Sequence, residues 1–224
     1  MTRAGIAPAP GMSPAARGGS WRRRACAALA ISALACAGAA RAEAGLSATR
    51  ELVRRLAAGR GEVAIAQRET DALGEVGTPR QGTLALEPPD RMKLALVGGE
   101  VLTVRRDGGE WLQPSLGQMI RFGTSGAGAA THLWGLLLGR AQGAIETPRG
   151  ASGWRLRFPA EDGALDSVHV DLGPDQLPRR ILAWPAAGGR FEARLSGWKF
   201  GRAAGVKAFS QRAPKGIEVV PLEP

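Results

Sequence analysis

The sequence predicts a mainly β domain with helices (α+β), a curved antiparallel sheet or partly open barrel with helices against one face. Three observations predict it. From Val63 onward apolar residues recur at period two, and turn signals fall about every eight to twelve residues. Helical patterning is confined to one segment after Ser47 and one apolar segment around Trp134.

Before this domain stands a leader. Arg22, Arg23 and Arg24 precede an apolar run of about 15 residues, and Ala40-Arg41-Ala42 offers the small-x-small pattern of a signal peptidase site, cut before Glu43. The run is shorter than the roughly 20 residues needed to span a bilayer. Residues 1–42 are therefore expected to be a signal peptide and 43–224 a single domain. Cys26 and Cys36 both lie in the leader, so the exported domain has no thiol and must be held by its core. The leader also holds six arginines and no acid, and without it the formal charge falls from +10 to about +4. The remaining charges are interspersed, with no basic stripe of the kind nucleic-acid binding requires, so no nucleic-acid partner is expected.

The elements then follow in order. Ser47 is placed to cap a helix over 47–58, with Leu52, Val53 and Leu56 as its apolar stripe and Gly59 ending it. Val63 and Ile65 alternate with small or polar neighbours, as do Leu84 and Leu86, then Met92, Leu94 and Leu96. Gly98-Gly99 turns the chain into a strand with Leu102 and Val104, and Asp107-Gly108-Gly109 turns it again towards Trp111. A strand over 118–122 leads into a Gly/Ala-rich loop and the short segment Leu133, Trp134, Leu136, Leu137, Leu138. Strands resume over 154–158, 167–172, 179–184 and 190–200 and end near 217–220, about ten in all.

Catalytic constellations are sparse. Ser167, His169 and Asp171 share one face of a strand, with Val168, Val170 and Leu172 on the core face, so the polar three are expected to face water. A hydrolase would need its serine on a sharp turn with the base arriving from another element, and neither surrounds Ser167. His132 and His169 stand far apart without partners at ligand spacing, so no metal and no cofactor is expected. The glycines of 123–128 lack the Lys-Ser/Thr ending of a phosphate loop and read as a hinge or loop.

The apolar inventory is what remains. Leu84, Leu86, Met92, Leu94 and Leu96 are long, flexible inward residues, and the Trp134 segment adds five large apolar side chains within six positions. Periodicity leaves two readings open, a plain core plug or a movable lid over an apolar groove.

Several short motifs in order resemble the periplasmic outer-membrane lipoprotein carriers, the LolA-like family. They are the N-terminal helix, a strand ending in Gln67, Gly82-Thr83-Leu84 running into prolines, Gly99-Glu100-Val101-Leu102, Asp107-Gly108 with Trp111, and Gln118 in the next strand. Phe209 followed by Pro214-Lys215-Gly216-Ile217-Glu218-Val219 resembles the family's closing strand. The resemblance implies an unclosed antiparallel barrel of about 10–11 strands with a helical lid over a hydrophobic concavity. It implies a lipid groove of Val63, Ile65, Leu84, Leu86, Met92, Leu94, Leu96 and Trp111, with Leu133, Trp134, Leu136 and Leu137 on the lid. It implies a non-enzymatic, monomeric periplasmic carrier that takes acylated lipoproteins or another lipid cargo from an inner-membrane lipoprotein-releasing transporter to an outer-membrane acceptor. Pro88 stands where the family places an arginine that tethers the lid, with Arg91 and Arg80 as candidate substitutes. Two rival readings use the same fold: a membrane-tethered acceptor, which needs a lipidated Cys36, and an envelope sensor or scaffold that binds a protein partner.

Overall fold

The computed structural model describes residues 46–123, 128–140, 143–159 and 165–222. The leader over 1–42, its cleavage site before Glu43, Cys26, Cys36 and most of the glycine loop over 123–128 lie outside them.

All twelve described strands belong to one sheet. Helix α1 (Arg50–Leu56) precedes a meander of six strands: β1 (Arg60–Thr70), β2 (Arg80–Glu87), β3 (Arg91–Leu96), β4 (Val101–Arg105), β5 (Gly108–Gln113) and β6 (Gln118–Phe122). Helix α2 (Gly128–Leu137) leads to a second meander: β7 (Ile145–Pro148), β8 (Gly153–Arg157), β9 (Leu165–Leu172), β10 (Pro178–Pro185) and β11 (Arg190–Gly201). Antiparallel pairing of β1 with β11 fuses the two meanders. Strand β12 (Glu218–Leu222) then returns beside β6. The order β12-β6-β5-β4-β3-β2-β1-β11-β10-β9-β8-β7 leaves β12 and β7 as unjoined edges, so the barrel is unclosed.

Two details differ from expectation. The strand missing from the expected number is β7, whose Ile145-Glu146-Thr147-Pro148 holds a single large apolar side chain, itself exposed. The sheet is also not wholly antiparallel, because β12 runs parallel to β6. A parallel neighbour needs a long connection, and here residues 202–217 supply it by crossing the outer face of β3 and β4.

That crossing strap is firmly fixed. Glu87, almost wholly buried, accepts hydrogen bonds from the Ala204 and Gly205 amides and pairs with Arg91. Lys93 reaches the Ala208 carbonyl at 3.4 Å and Arg105 the Phe209 carbonyl at 3.0 Å. Gln211 donates to the carbonyls of Val101 and Glu110 and to Thr103 Oγ1, at 3.1 to 3.2 Å. Phe209 is 1% exposed beneath it.

The helix start also differs. Thr49, not Ser47, occupies the N-cap, and no side-chain hydrogen bond is made there. Instead the Ser47 and Ala48 amides donate to the Glu146 carboxylate of β7 at 2.9 and 2.7 Å. These amides belong to the turn just before the N-cap, and a residue nearly a hundred positions away supplies their acceptor. At the other end Gly59 adopts φ +142, where a Cβ would collide with the backbone of residues 201–203.

The interior follows from strand alternation. Leu84, Leu94, Leu102, Trp111 and Ile120 form one continuous row across β2 to β6, and Leu86, Met92, Val104, Gly109 and Phe122 the next. From the other meander Val168, Val170, Ile181, Ala183, Ala193 and Leu195 face the same core.

Candidate functional site

The sheet curls around α2. Residues 133–138 are all buried, which explains a segment apolar nearly all round. Trp134 packs edge-on against Phe191 of β11, with ring centroids 6.1 Å apart. At the helix end Gly139 lies against Val53 of α1. On this one helix Leu136 and Leu137, both 0% exposed, plug the core, while Leu133 and Trp134 line a cavity.

That cavity has a volume of about 940 Å³, towards the upper end of the ~300–1,000 Å³ typical of small-ligand sites. Its wall on the first meander is Leu94, Leu96, Leu102, Val104, Trp111, Ile120 and Phe122, and on the second Leu165, Ala183 and Phe191. The loops at one end of the sheet frame its mouth through Asp71, Ala72, Ser115, Leu116, Ala187 and Gly188.

Of the expected groove and lid residues, Leu94, Leu96, Trp111, Leu133 and Trp134 lie on this wall. Val63, Ile65, Leu84, Leu86, Met92, Leu136 and Leu137 do not; each is at most 3% exposed and packs in the core. The packed residues of the sheet lie on β1, β2 and the start of β3, the side of the concave face next to α1. Leu56 sits over Gly61 at the start of β1, where no side chain competes for the space. Sequence reading missed Leu102, Val104, Ile120 and Phe122 as wall residues, although they continue the inward alternation on β4 and β6. Phe122 lies flat across Gly109, where a Cβ would collide with its ring.

One flank of the mouth is polar. Arg80 bridges Glu69 at 3.1 Å and Glu100 at 2.8 Å, and the Trp111 indole N–H donates to Glu100 at 2.8 Å. This chain of bonds across β1, β2 and β5 fixes the Trp111 ring against the cavity. Of the candidate substitutes for the lid-tethering arginine, Arg80 pairs with Glu69 and Glu100 at the mouth and Arg91 with Glu87 on the outer face, and among the described residues neither pairs with α2.

The Ser167, His169, Asp171 face contains no triad. Ser167, expected in water, is 4% exposed and bonds its neighbour Asp166 at 3.4 Å. His169 packs edge-on against Trp184 with ring centroids 4.5 Å apart, and Asp171 lies near Arg149 and Arg180. Burial, then the charges of Arg149 and Arg155, push the His169 imidazole below its usual pKa. Among the described residues no cluster of three His, Cys, Asp or Glu side chains stands at metal-ligand spacing, and no helix is long and apolar enough to cross a membrane.

No protein-family model matches the chain, and no curated protein matches it. Solved structures do. The chain is similar to a LolA superfamily protein from Nitrosomonas europaea, at 11% identity and a TM-score of 0.42, covering 73% of this chain and 97% of that one. It is also similar to an uncharacterized conserved protein from Thermus thermophilus, at 13% identity and a TM-score of 0.46, covering 77% and 98%. Lipoprotein LppX of Mycobacterium tuberculosis is similar at 16% identity and a TM-score of 0.35, covering 68% and 93%.

Proposed function

We propose that this chain is an exported carrier that holds acyl chains of lipoproteins, or of a related lipid, in its cavity. It passes them across the periplasm towards the outer membrane without covalent chemistry. The observation that carries this reading is an apolar hollow of about 940 Å³ beside a fully packed core in the same barrel. An acyl chain of about fifteen carbons left in water costs roughly 10 kcal/mol, at ~0.8 kcal/mol per methylene. A carrier must shield that surface and still release it downhill. A wall of flexible leucines, half-buried at Leu102 and buried at Leu94 and Leu96, shields a chain without a deep, rigid grip. Donor and recipient would be an inner-membrane transporter and an outer-membrane acceptor, with the carrier acting as a monomer.

The test is a detergent-free preparation weighed by native mass spectrometry. The wild-type protein is expected to retain lipid or to take up an acylated peptide. The double variant Leu102→Glu, Ile120→Glu is expected to lose both while keeping its circular dichroism spectrum. A wild-type protein that neither retains lipid nor takes up the acylated peptide would rule the reading out.

A further inference from the structure

The two meanders differ on the outside of the barrel. The strap over 202–217 crosses the outer face of β3 and β4, whereas Arg155, Arg157 and Arg194 stand exposed on the outer face of the second meander. Strand register gathers there charges that are interspersed along the sequence. The row nearest the mouth is Ile145, Arg157, Ser167 and Trp184. Trp184 runs straight into the turn whose Ala187 and Gly188 frame the cavity mouth. The next row is Thr147, Arg155, His169, Leu182, Glu192 and Arg68. A third row joins Asp171, Arg180 and Arg194, and Arg149 reaches Asp171 at 3.5 Å.

The signs are layered. The Glu192 side chain is 8% exposed and pairs with Arg180 at 3.0 Å, Arg194 at 3.2 Å and Arg68 at 3.7 Å, whose side chains are 41%, 70% and 42% exposed. One buried carboxylate thus holds three guanidiniums outward, each with N–H donors to spare. Arg149, Arg155 and Arg157 bring the arginines to six, against Glu192 and Asp171, and the three rows hold no lysine. The formal excess of about +4 on the exported domain is concentrated on this face. The His169 imidazole lies in the same field: burial first, then Arg149 and Arg155, hold it below its usual pKa.

Guanidinium forks match phosphate oxygens two bonds at a time. Ile145 is 69% exposed and half-buried Trp184 shares its row. Apolar and tryptophan side chains flanked by arginine suit the headgroup layer of a bilayer better than a soluble acidic protein. We propose that the outer face of β7 to β11 docks on an anionic phospholipid membrane, with the arginines on headgroup phosphates and Ile145 and Trp184 at the acyl boundary. The cavity mouth then lies beside the membrane surface. This docking goes beyond the carrier reading and needs no ligand in the cavity.

Cosedimentation of the full exported domain with vesicles is the test. Wild-type protein is expected to bind vesicles of equal parts phosphatidylglycerol and phosphatidylcholine roughly tenfold more strongly than phosphatidylcholine alone, and to dissociate as salt rises. Arg155→Gln with Arg157→Gln should weaken binding to the anionic vesicles roughly tenfold. Arg202→Gln with Lys207→Gln, an equal loss of charge on the strap, should change it by less than about twofold. Arg155→Thr with Arg157→Thr serves if the glutamines disturb β8. Equal binding to the two kinds of vesicle would overturn the assignment, as would equal weakening by the two pairs of substitutions. Native mass spectrometry of the same β8 variant should show lipid retention unchanged. Wild-type protein that retains lipid but ignores anionic vesicles overturns the docking face alone, and protein that docks but neither retains lipid nor takes up the acylated peptide overturns the carrier reading alone.

Discussion

Met92 and Leu94 are neighbours on one face of β3 and share one core, yet only Leu94 lines the cavity. Met92 is 1% exposed, beside its register partner Leu86, in the packed core. Leu94 looks onto an open cavity, in a row with Leu102, Trp111 and Ile120. The same strands and the same alternation built both. What differs is the cover: Leu56 of α1 sits over Gly61 of β1, which pairs with Leu86 of β2, whereas the cavity lies along β3 to β6, its mouth framed by the helical turn Pro114–Leu116. A barrel of this kind is stabilised at one end and left available at the other.

The comparison breaks most easily by moving a charge across it. Leu136→Glu places a carboxylate where the side chain is 0% exposed, and the protein is expected not to fold. Leu102→Glu places the same group on the half-buried cavity wall, where water can reach it, and the fold should survive. Milder truncations sharpen the contrast. Leu86→Ala, in the packed end, should cost about 2–5 kcal/mol in urea unfolding. Leu102→Ala, which enlarges a space already open, should cost less than about 1.5 kcal/mol. Equal costs at the two sites would mean that the ends are not energetically distinct.

The outer strap offers a smaller effect with a defined pH window. Burial by itself pushes the Glu110 carboxyl up, but hydrogen bonds from Arg105 and Thr103 outweigh it and hold the pKa below the usual carboxylate range. Its contribution to stability is therefore complete above the unfolded value of about 4.3. It is lost as pH falls through the lower folded value. Wild-type protein should lose more stability than Glu110→Gln between pH 5 and roughly pH 3 in parallel thermal melts. The strap crosses behind β3 and β4, so cargo uptake at pH 7 should be similar in the two proteins. A change in uptake would show that the strap and the cavity are coupled.

How far this division was legible in the sequence depends on what periodicity measures. Period two identified Leu84, Leu86, Met92, Leu94 and Leu96 as facing inward, and they do. It reports which face a side chain takes and not how full the space beyond it is, so packed and hollow residues received one assignment. The Trp134 segment shows the same limit, since Leu133 and Leu136 differ in role although both are apolar and buried. Features made by distant partners were invisible for a different reason. Glu146 closing the start of α1, and β12 running parallel to β6, follow from tertiary contact rather than local pattern.

The mildest probe of the comparison uses light. Trp111 and Trp134 face the cavity from opposite walls, whereas Trp154, Trp184 and Trp198 do not line it. Trp134 is already 4% exposed, so a ligand changes its surroundings little, but Trp111 on the cavity wall is only half-buried. Filling the cavity with an acyl ligand should shift tryptophan emission to shorter wavelength, and Trp111→Phe should remove most of that shift. The substitution also gives up the indole hydrogen bond to the Glu100 carboxylate, a loss on the order of 1–2 kcal/mol at this part-buried site. Trp198, bonded to the Pro178 carbonyl away from the cavity, supplies the control: Trp198→Phe should leave the shift intact. A shift that follows Trp198 and not Trp111 would place the ligand outside the hollow end.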